Sequence, residues 1–173
     1  MGMKGINYRE LEKILKAKEL EKLLKADEWF KADQLTTQLM CQVTKREKEG
    51  WLSTEHIDAF PCEDLLMIDQ LWVDNSNNKF GFSVQKKLWL ECGGEVEKYT
   101  SISWKKFASE VGWYHPQNDD WRTYPEFMND TQNAQNISPA SLPYSYICID
   151  HLMGGIGMMM FSSLVQKLVK CHL

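Results

Sequence analysis

The chain has 173 residues, 43% of them hydrophobic, and a formal net charge of −4. That length suits one domain with a short arm, and that apolar content is enough for a real core and argues against disorder. The negative balance disfavours a nucleic-acid binder held by counterion release. Residues 1–50 carry 11 Lys/Arg and 9 Asp/Glu and the remainder 9 and 15, so the charge passes from mildly basic to acidic.

In chain order, MGMKGINYRELEK has neither the apolar core of a signal peptide nor the Ser/Arg-rich, acid-poor character of a transit peptide, so the protein is expected to work where it is made. Residues 11–19, LEKILKAKE, and 20–28, LEKLLKADE, agree at seven of nine positions. Nine helical residues turn the second copy by about 180° relative to the first. Either one continuous helix has leucines on opposite faces, or the chain breaks near Ala17–Leu20. Residues 1–19 are read as a helical arm or a partner-docking helix, and residues 20–173 as the domain proper.

Trp29, Ala32, Leu35, Thr36, Leu39, Met40 and Val43 recur at helical spacing and predict a helix over 26–44. Gly50 ends the following segment, and Ser53 or Thr54 is suited to cap a short helix around Ile57. Pro61 fits the first position of another helix, with Leu65, Ile68, Leu71 and Trp72 as its buried stripe and 74–78, DNSNN, as its end. Ser83 is the expected cap of the next, which carries Val84, Leu88, Trp89 and Cys92 and stops at Gly93-Gly94. Trp104, Phe107, Ala108 and Val111 form one more, closed by Gly112. Residues 114–143 are rich in Asn, Gln, Asp, Ser and Pro and read as one long loop. It carries Tyr114, Trp121, Tyr124 and Phe127, which suggests a flap that closes on a ligand. The segment 147–165 is too interrupted by charge and glycine to span a membrane. Phe161, Leu164, Val165, Leu168 and Val169 predict a closing helix. The fold class is therefore all-α.

The five cysteines form no CxxC or Cys/His cluster, so a zinc site is not expected and reduced thiols are. Cys62, after Pro61 at a helix start, is where a helix dipole lowers a thiol pKa. A nucleophilic thiol needs a histidine base, and nothing in the spacing of His56, His115, His151 and His172 selects one. Glu63 and Asp64 fit better as acids in a first helical turn. No catalytic residue is assigned and no enzyme is expected. The methionine-rich stretch 154–161, GGIGMMMF, suits either core packing or an adaptable contact.

Four strings carry the most specific signal: REKEGWL (Arg46–Leu52), FPCEDL (Phe60–Leu65), IDQLWV (Ile68–Val73) and FGFSVQK (Phe80–Lys86). In this order they closely resemble the core motif of the genomes-uncoupled-four family, porphyrin-binding regulators of magnesium chelatase. The likeness covers most of Leu23–Trp113, and the segment from Trp121 to Phe127, WRTYPEF, aligns loosely. The resemblance implies a compact multi-helix domain shaped like a cupped hand, its long aromatic loop lying over a concave apolar palm. It implies a non-covalent porphyrin ligand, protoporphyrin IX or Mg-protoporphyrin IX, and no metal site of the protein's own. The implied partner is magnesium chelatase, through its large porphyrin-binding subunit, whose activity the protein would raise. Of the three arginines, Arg46 and Arg122 lie beside the aromatic segments and suit the propionates, because a guanidinium grips a carboxylate through two parallel hydrogen bonds. Palm or rim residues implied by the strings and the loop are Val43, Arg46, Phe60, Trp72, Val73, Phe80, Phe82, Trp113, Trp121, Arg122, Tyr124 and Phe127. The expected setting is a chloroplast stroma, for a plastid-encoded protein, or a cyanobacterial cytoplasm. A monomer with no transmembrane segment is expected, and association with a membrane surface is left open. The rival reading is a related domain that binds an open-chain bilin or serves as an interaction module in signalling.

Overall fold

A computed structural model describes residues 7–130, 137–147 and 155–173; Cys148, His151 and Gly154 lie outside them. Helix α1 (Tyr8–Lys25) begins where the Asn7 side chain accepts the Glu10 N–H, and it runs unbroken through both copies of the repeat. The half-turn between the copies then decides which leucines are used. Leu20 and Leu24 are buried, whereas Leu11, Ile14 and Leu15 are 43%, 44% and 55% exposed. The two copies thus do different work on one helix: the second anchors it and the first leaves its apolar face open. Lys13 adds an ion pair to Asp64 at 2.9 Å, and Arg9 pairs with Glu47.

Helix α2 (Trp29–Val43) is the central strut, with Trp29, Ala32, Asp33, Thr36, Leu39 and Met40 among its buried residues. After it the chain turns through Lys45 and Gly50, both at positive φ. Helix α3 (Thr54–Asp58) is capped by Ser53 in a capping box in which the His56 ring accepts the Ser53 N–H at 3.1 Å, standing where Glu or Gln usually does. Helix α4 (Cys62–Asn75) starts one residue after Pro61, which occupies the cap, and Glu63 and Asp64 fill the first turn. Trp72 of α4 is fully buried and its Nε1–H donates to Thr36 Oγ1 of α2 at 2.9 Å, so the ring that stacks on Trp29 of α2 is also hydrogen-bonded to that helix.

Helix α5 (Phe82–Glu91) is capped by Gly81, not by Ser83 as expected. The Ser83 N–H instead donates to Asp69 Oδ1 at 2.9 Å, so a carboxylate from α4 serves this helix start. Gly81 has φ +137°, and a Cβ there would meet Val73 Cγ2 at 2.8 Å; only glycine lets α4 and the start of α5 approach so closely. Helix α6 (Ser101–Glu110) follows, with the Thr100 side chain accepting the Ser103 N–H.

The segment 114–143 is more structured than the loop expected from its composition. It holds an antiparallel pair, β1 (Tyr114–His115) and β2 (Asp120–Trp121), and helix α7 (Tyr124–Asp130). Ile137, Ala140 and Leu142 are buried, so this polar-looking stretch contributes to the core. A 3₁₀ turn (Ser145–Ile147) and helix α8 (Gly155–Lys170) close the chain. Phe161 of α8 lies 5.8 Å from Trp89 and 4.7 Å from Phe107, at the centre of an aromatic core with Trp104 and Trp113. In the methionine run Met160 is buried in the core and Met159 is exposed. No helix among the described residues is long and apolar enough to cross a membrane.

One expectation is corrected outright. Cys62 is not a free thiol: it is bonded to Cys171, with a Cα–Cα distance of 5.3 Å. Across 109 residues of sequence nothing linked the two, and only the meeting of the α8 terminus with the α4 start brings them together. The free cysteines among the described residues are Cys41 and Cys92, and burial pushes both thiols up from their ordinary range. Neither has the electropositive, accessible setting of a reactive thiol.

Candidate functional site

Two adjoining recesses run along the outer face of α2. One, of about 450 Å³, is lined by Gln34, Thr37, Gln38, Tyr124 and Ser145. The other, of about 360 Å³, is lined by Lys16, Thr37, Gln38, Cys41, Glu47 and Gly50. They share Thr37 and Gln38 and form one trough, with the segment around Tyr124 and Ser145 at one end and the turn after α2 at the other. Each recess is of a size that takes part of a small-molecule ligand. A separate recess between α1 and α4 has an apolar floor of Ile14, Ala17, Met67 and Leu71. None of the residues expected at the ligand lines it.

The end of the trough formed by α7 and the 3₁₀ turn is built on Asp33. This carboxylate is fully buried on α2 and accepts hydrogen bonds from the Tyr144 N–H at 2.8 Å, the Ser145 N–H at 3.0 Å and the Tyr124 hydroxyl at 2.8 Å. The Ser145 hydroxyl returns a bond to the Asp33 carbonyl at 2.9 Å and lies 2.6 Å from Thr37 Oγ1. Residues more than ninety positions apart are thereby tied to one turn of helix. Burial raises the Asp33 carboxyl to about 6, and the hydrogen bonds from Tyr144, Tyr124 and Ser145 pull against that rise.

Arg122 stands next to this end. Its Nε–H donates to His115 Nε2 at 2.8 Å, which requires His115 to be neutral with its proton on Nδ1. Its carbonyl accepts the Tyr144 hydroxyl at 3.0 Å. Trp121 is half-buried and stacks on Trp104, with ring centroids 5.7 Å apart and planes 24° apart. At the other end Arg46 lies over the Trp51 ring, 4.8 Å from its centroid, and pairs with Glu49 at 3.2 Å. Trp51 remains 43% exposed.

The residues expected at the ligand therefore separate into groups. Tyr124 lines one end of the trough, with Arg122 and Trp121 just before it in the chain and Trp121 stacked on Trp104. Arg46 belongs to the turn whose Glu47 and Gly50 line the other end, and of these four residues only Tyr124 is itself a lining residue. Phe60, Trp72, Phe80, Phe82, Trp113 and Phe127 are buried to 1% exposure or less and sit in the aromatic core. Phe127 packs on Tyr144 at 4.9 Å and Trp113 stacks on Tyr144 at 4.6 Å. Val43 is half-buried where α2 faces α1 and Pro61, and half-buried Val73 lies against Gly81. Sequence reasoning missed Asp33, Gln34, Thr37, Gln38 and Ser145. A signal existed for Asp33, an acid at i+4 from Trp29 on the buried stripe. The polar set Gln34, Thr37, Gln38 looks like an ordinary solvent face. No group of His, Cys, Asp and Glu able to hold a metal ion occurs among the described residues.

A helical domain with a trough on its central helix, closed at its two ends by arginine- and aromatic-bearing segments, has the form of a ligand-holding protein. Residues 3–148 match the family described as GUN4-like, and the chain belongs to that family. It is 33% identical over 128 residues to the Ycf53 protein of Pyropia yezoensis, covering 69% of this chain and 47% of that protein. A Ycf53-like protein of Synechocystis is 32% identical over 120 residues, covering 68% and 47%. A protein of Arabidopsis thaliana named "Tetrapyrrole-binding protein, chloroplastic" is 30% identical over 99 residues, covering 55% and 36%. The chain thus spans about half the length of these two Ycf53 relatives. The ligand-free structure of Arabidopsis thaliana GUN4 superposes with a TM-score of 0.63 at 25% identity, over 84% of this chain and 88% of that one.

Proposed function

We propose that the trough along α2 binds a tetrapyrrole, protoporphyrin IX or its magnesium form, and that the protein is a non-catalytic accessory factor that raises magnesium chelatase activity. The name of the Arabidopsis relative supports the ligand class. The observation that carries the reading to this site is the pairing of two segments across one trough, each with an arginine beside an aromatic ring. A porphyrin is a flat apolar disc with carboxylates on one edge, and rings with cations at the rim are what it requires. In this reading Arg46, Trp121, Arg122 and Tyr124 meet the ligand. Val43, Val73 and the buried aromatics support the fold without lining the trough. The setting that fits the relatives is a plastid or a cyanobacterium, and the partner is the chelatase subunit that handles porphyrin.

The test is a titration of the purified protein with protoporphyrin IX. Trp51 follows the turn at one end and Trp121 precedes Tyr124 at the other, so binding is expected to quench fluorescence and shift the Soret band at micromolar ligand. Absence of both changes at tens of micromolar, a binding energy weaker than roughly 6 kcal/mol, overturns the reading. A red-band shift with a bilin and no response to porphyrin transfers the site to open-chain tetrapyrroles.

A further inference from the structure

Asp33 is used in a way that core packing does not explain. A fully buried carboxylate is costly unless it has an essential set of partners. Here the partners come from the far wall of the trough: the Tyr124 phenol on α7 and the amides of Tyr144 and Ser145 just before and at the 3₁₀ turn. Two of these residues, Tyr124 and Ser145, also line the recess. The next charged group outward, Arg122, is reached through the Tyr144 hydroxyl on its carbonyl, and His115 through the Arg122 guanidinium.

We propose that Asp33, although it does not line the trough, is the positioning residue for the tetrapyrrole, and that its ionised form holds the far wall in the shape that binds. This rests on the reading of the trough as the ligand site. Ionised, the carboxylate accepts from all three donors at once through charge-assisted bonds. Protonated, it no longer accepts from all three: the oxygen that carries the proton must reverse its bond to the Tyr124 hydroxyl or give up an amide, and the bonds that remain lose the help of the charge. Its carboxyl, raised to about 6, makes that change reachable under mild conditions. A porphyrin that needs Tyr124 and Ser145 in place then binds the ionised form more tightly.

The experiment compares protoporphyrin affinity of the wild type and Asp33→Asn across a pH series, with circular dichroism to follow the fold. Taking the difference between the two proteins cancels titration of the ligand's own carboxylates and of groups that the two proteins share. The ratio of dissociation constants is expected to be near one at about pH 5 and to widen to about ten-fold by pH 8, as expected for losing one charge-assisted hydrogen bond. A second variant, Tyr124→Phe, removes one donor and must move the midpoint of the affinity profile to higher pH, a shift that loss of packing alone would not produce. Carbon-13 titration of the Asp33 carboxyl in ligand-free protein reads the same midpoint without porphyrin. A pH-independent ratio, or an unmoved midpoint in Tyr124→Phe, overturns the assignment even if Asp33→Asn fails to fold. If the wild type binds no porphyrin at any pH, the site reading and this inference both fall.

Discussion

Cys62 at the start of α4 and Cys171 just beyond the end of α8 are joined, closing a loop of 109 residues that contains most of the aromatic core. A cross-link over so long a loop removes much of the freedom of the unfolded chain, worth about 2–4 kcal/mol in typical cases. Cys62 is exposed, so a dithiol reductant has access to it. Reduction is expected to lower the thermal midpoint by several degrees and to leave porphyrin binding in place, because neither sulfur lines the trough. Cys62→Ser should behave like the reduced wild type. Melting curves unchanged by reductant would show that the bond adds nothing to stability.

The bond between Trp72 and Thr36 makes a sharper stability prediction. Thr36→Val keeps the side-chain shape but leaves the Trp72 indole N–H without its acceptor in a fully buried place. An unsatisfied buried donor costs about 1–3 kcal/mol. Denaturant unfolding should show that loss with little change in helix content. A cost below measurement would mean that the indole has a second acceptor.

Asp33 also imposes a sign on the pH dependence of stability. Its carboxyl ionises near 4 in the unfolded chain and near 6 when folded, so between those values the folded protein holds the extra proton. The Asp33 contribution is therefore fully present below about pH 4 and is lost as pH rises through about 6, by roughly 3 kcal/mol in total. Relative to Asp33→Asn, the wild type should lose stability across that window. A difference that grows in its favour with rising pH would contradict the burial that sets the shift. The same ionised form that is proposed to bind ligand is thus the less stable one.

Most of the helical plan is legible in the sequence because the core stripes have a clear period and the stops are chemical. Trp29, Ala32, Thr36 and Leu39 mark α2, and Gly93-Gly94 and Gly112 end α5 and α6. What failed to read was set by contacts between distant residues. Ser83 looked like a cap, but Asp69 of α4 took its N–H and Gly81 took its place. The composition of 114–143 hid Ile137 and Leu142, whose burial depends on a core made elsewhere. Of the residues expected at the ligand, Tyr124 lines the trough, whereas Trp72 and Phe80 are buried in the core. An aromatic such as Trp72 or Phe80 looks the same in sequence whether it faces a ligand or a neighbouring helix. The trough floor of Gln34, Thr37 and Gln38 carries no signal beyond polarity.

The exposed first half of α1 bears on where the domain begins. We take residues 1–19 as an arm that the domain does without. Their removal leaves Leu20 and Leu24 in the core, sacrifices the Lys13–Asp64 and Arg9–Glu47 pairs, and opens the Gln42 amide, now bonded to Arg9 and Glu12, to water. Such partly exposed pairs contribute about 0–1 kcal/mol each. The truncated protein should fold cooperatively with a small loss of stability. A chain that fails to fold would move the domain boundary to Tyr8.

The two arginines provide the last test, because the trough has one at each end. Arg46 rests on Trp51 and Glu49, and Arg122 on His115, so each is held in position before any ligand arrives. If both meet propionates, Arg46→Ala and Arg122→Ala should each weaken protoporphyrin binding by about 1–3 kcal/mol, the range for a charge-assisted hydrogen bond. The double variant should lose at least as much as either single one, and its departure from the sum measures the coupling of the two arginines through the one ligand they would share. The controls differ by position. Arg46→Ala uncovers the Trp51 ring and should change its fluorescence without ligand. Arg122→Ala removes the donor to His115 and should leave the circular dichroism unchanged. Hydrogen exchange over 121–127 should slow when porphyrin binds, because Trp121 and Tyr124 would then cover one of its faces. Normal affinity in both single variants would remove the propionates from this trough and leave the ligand to be held by aromatic contact alone.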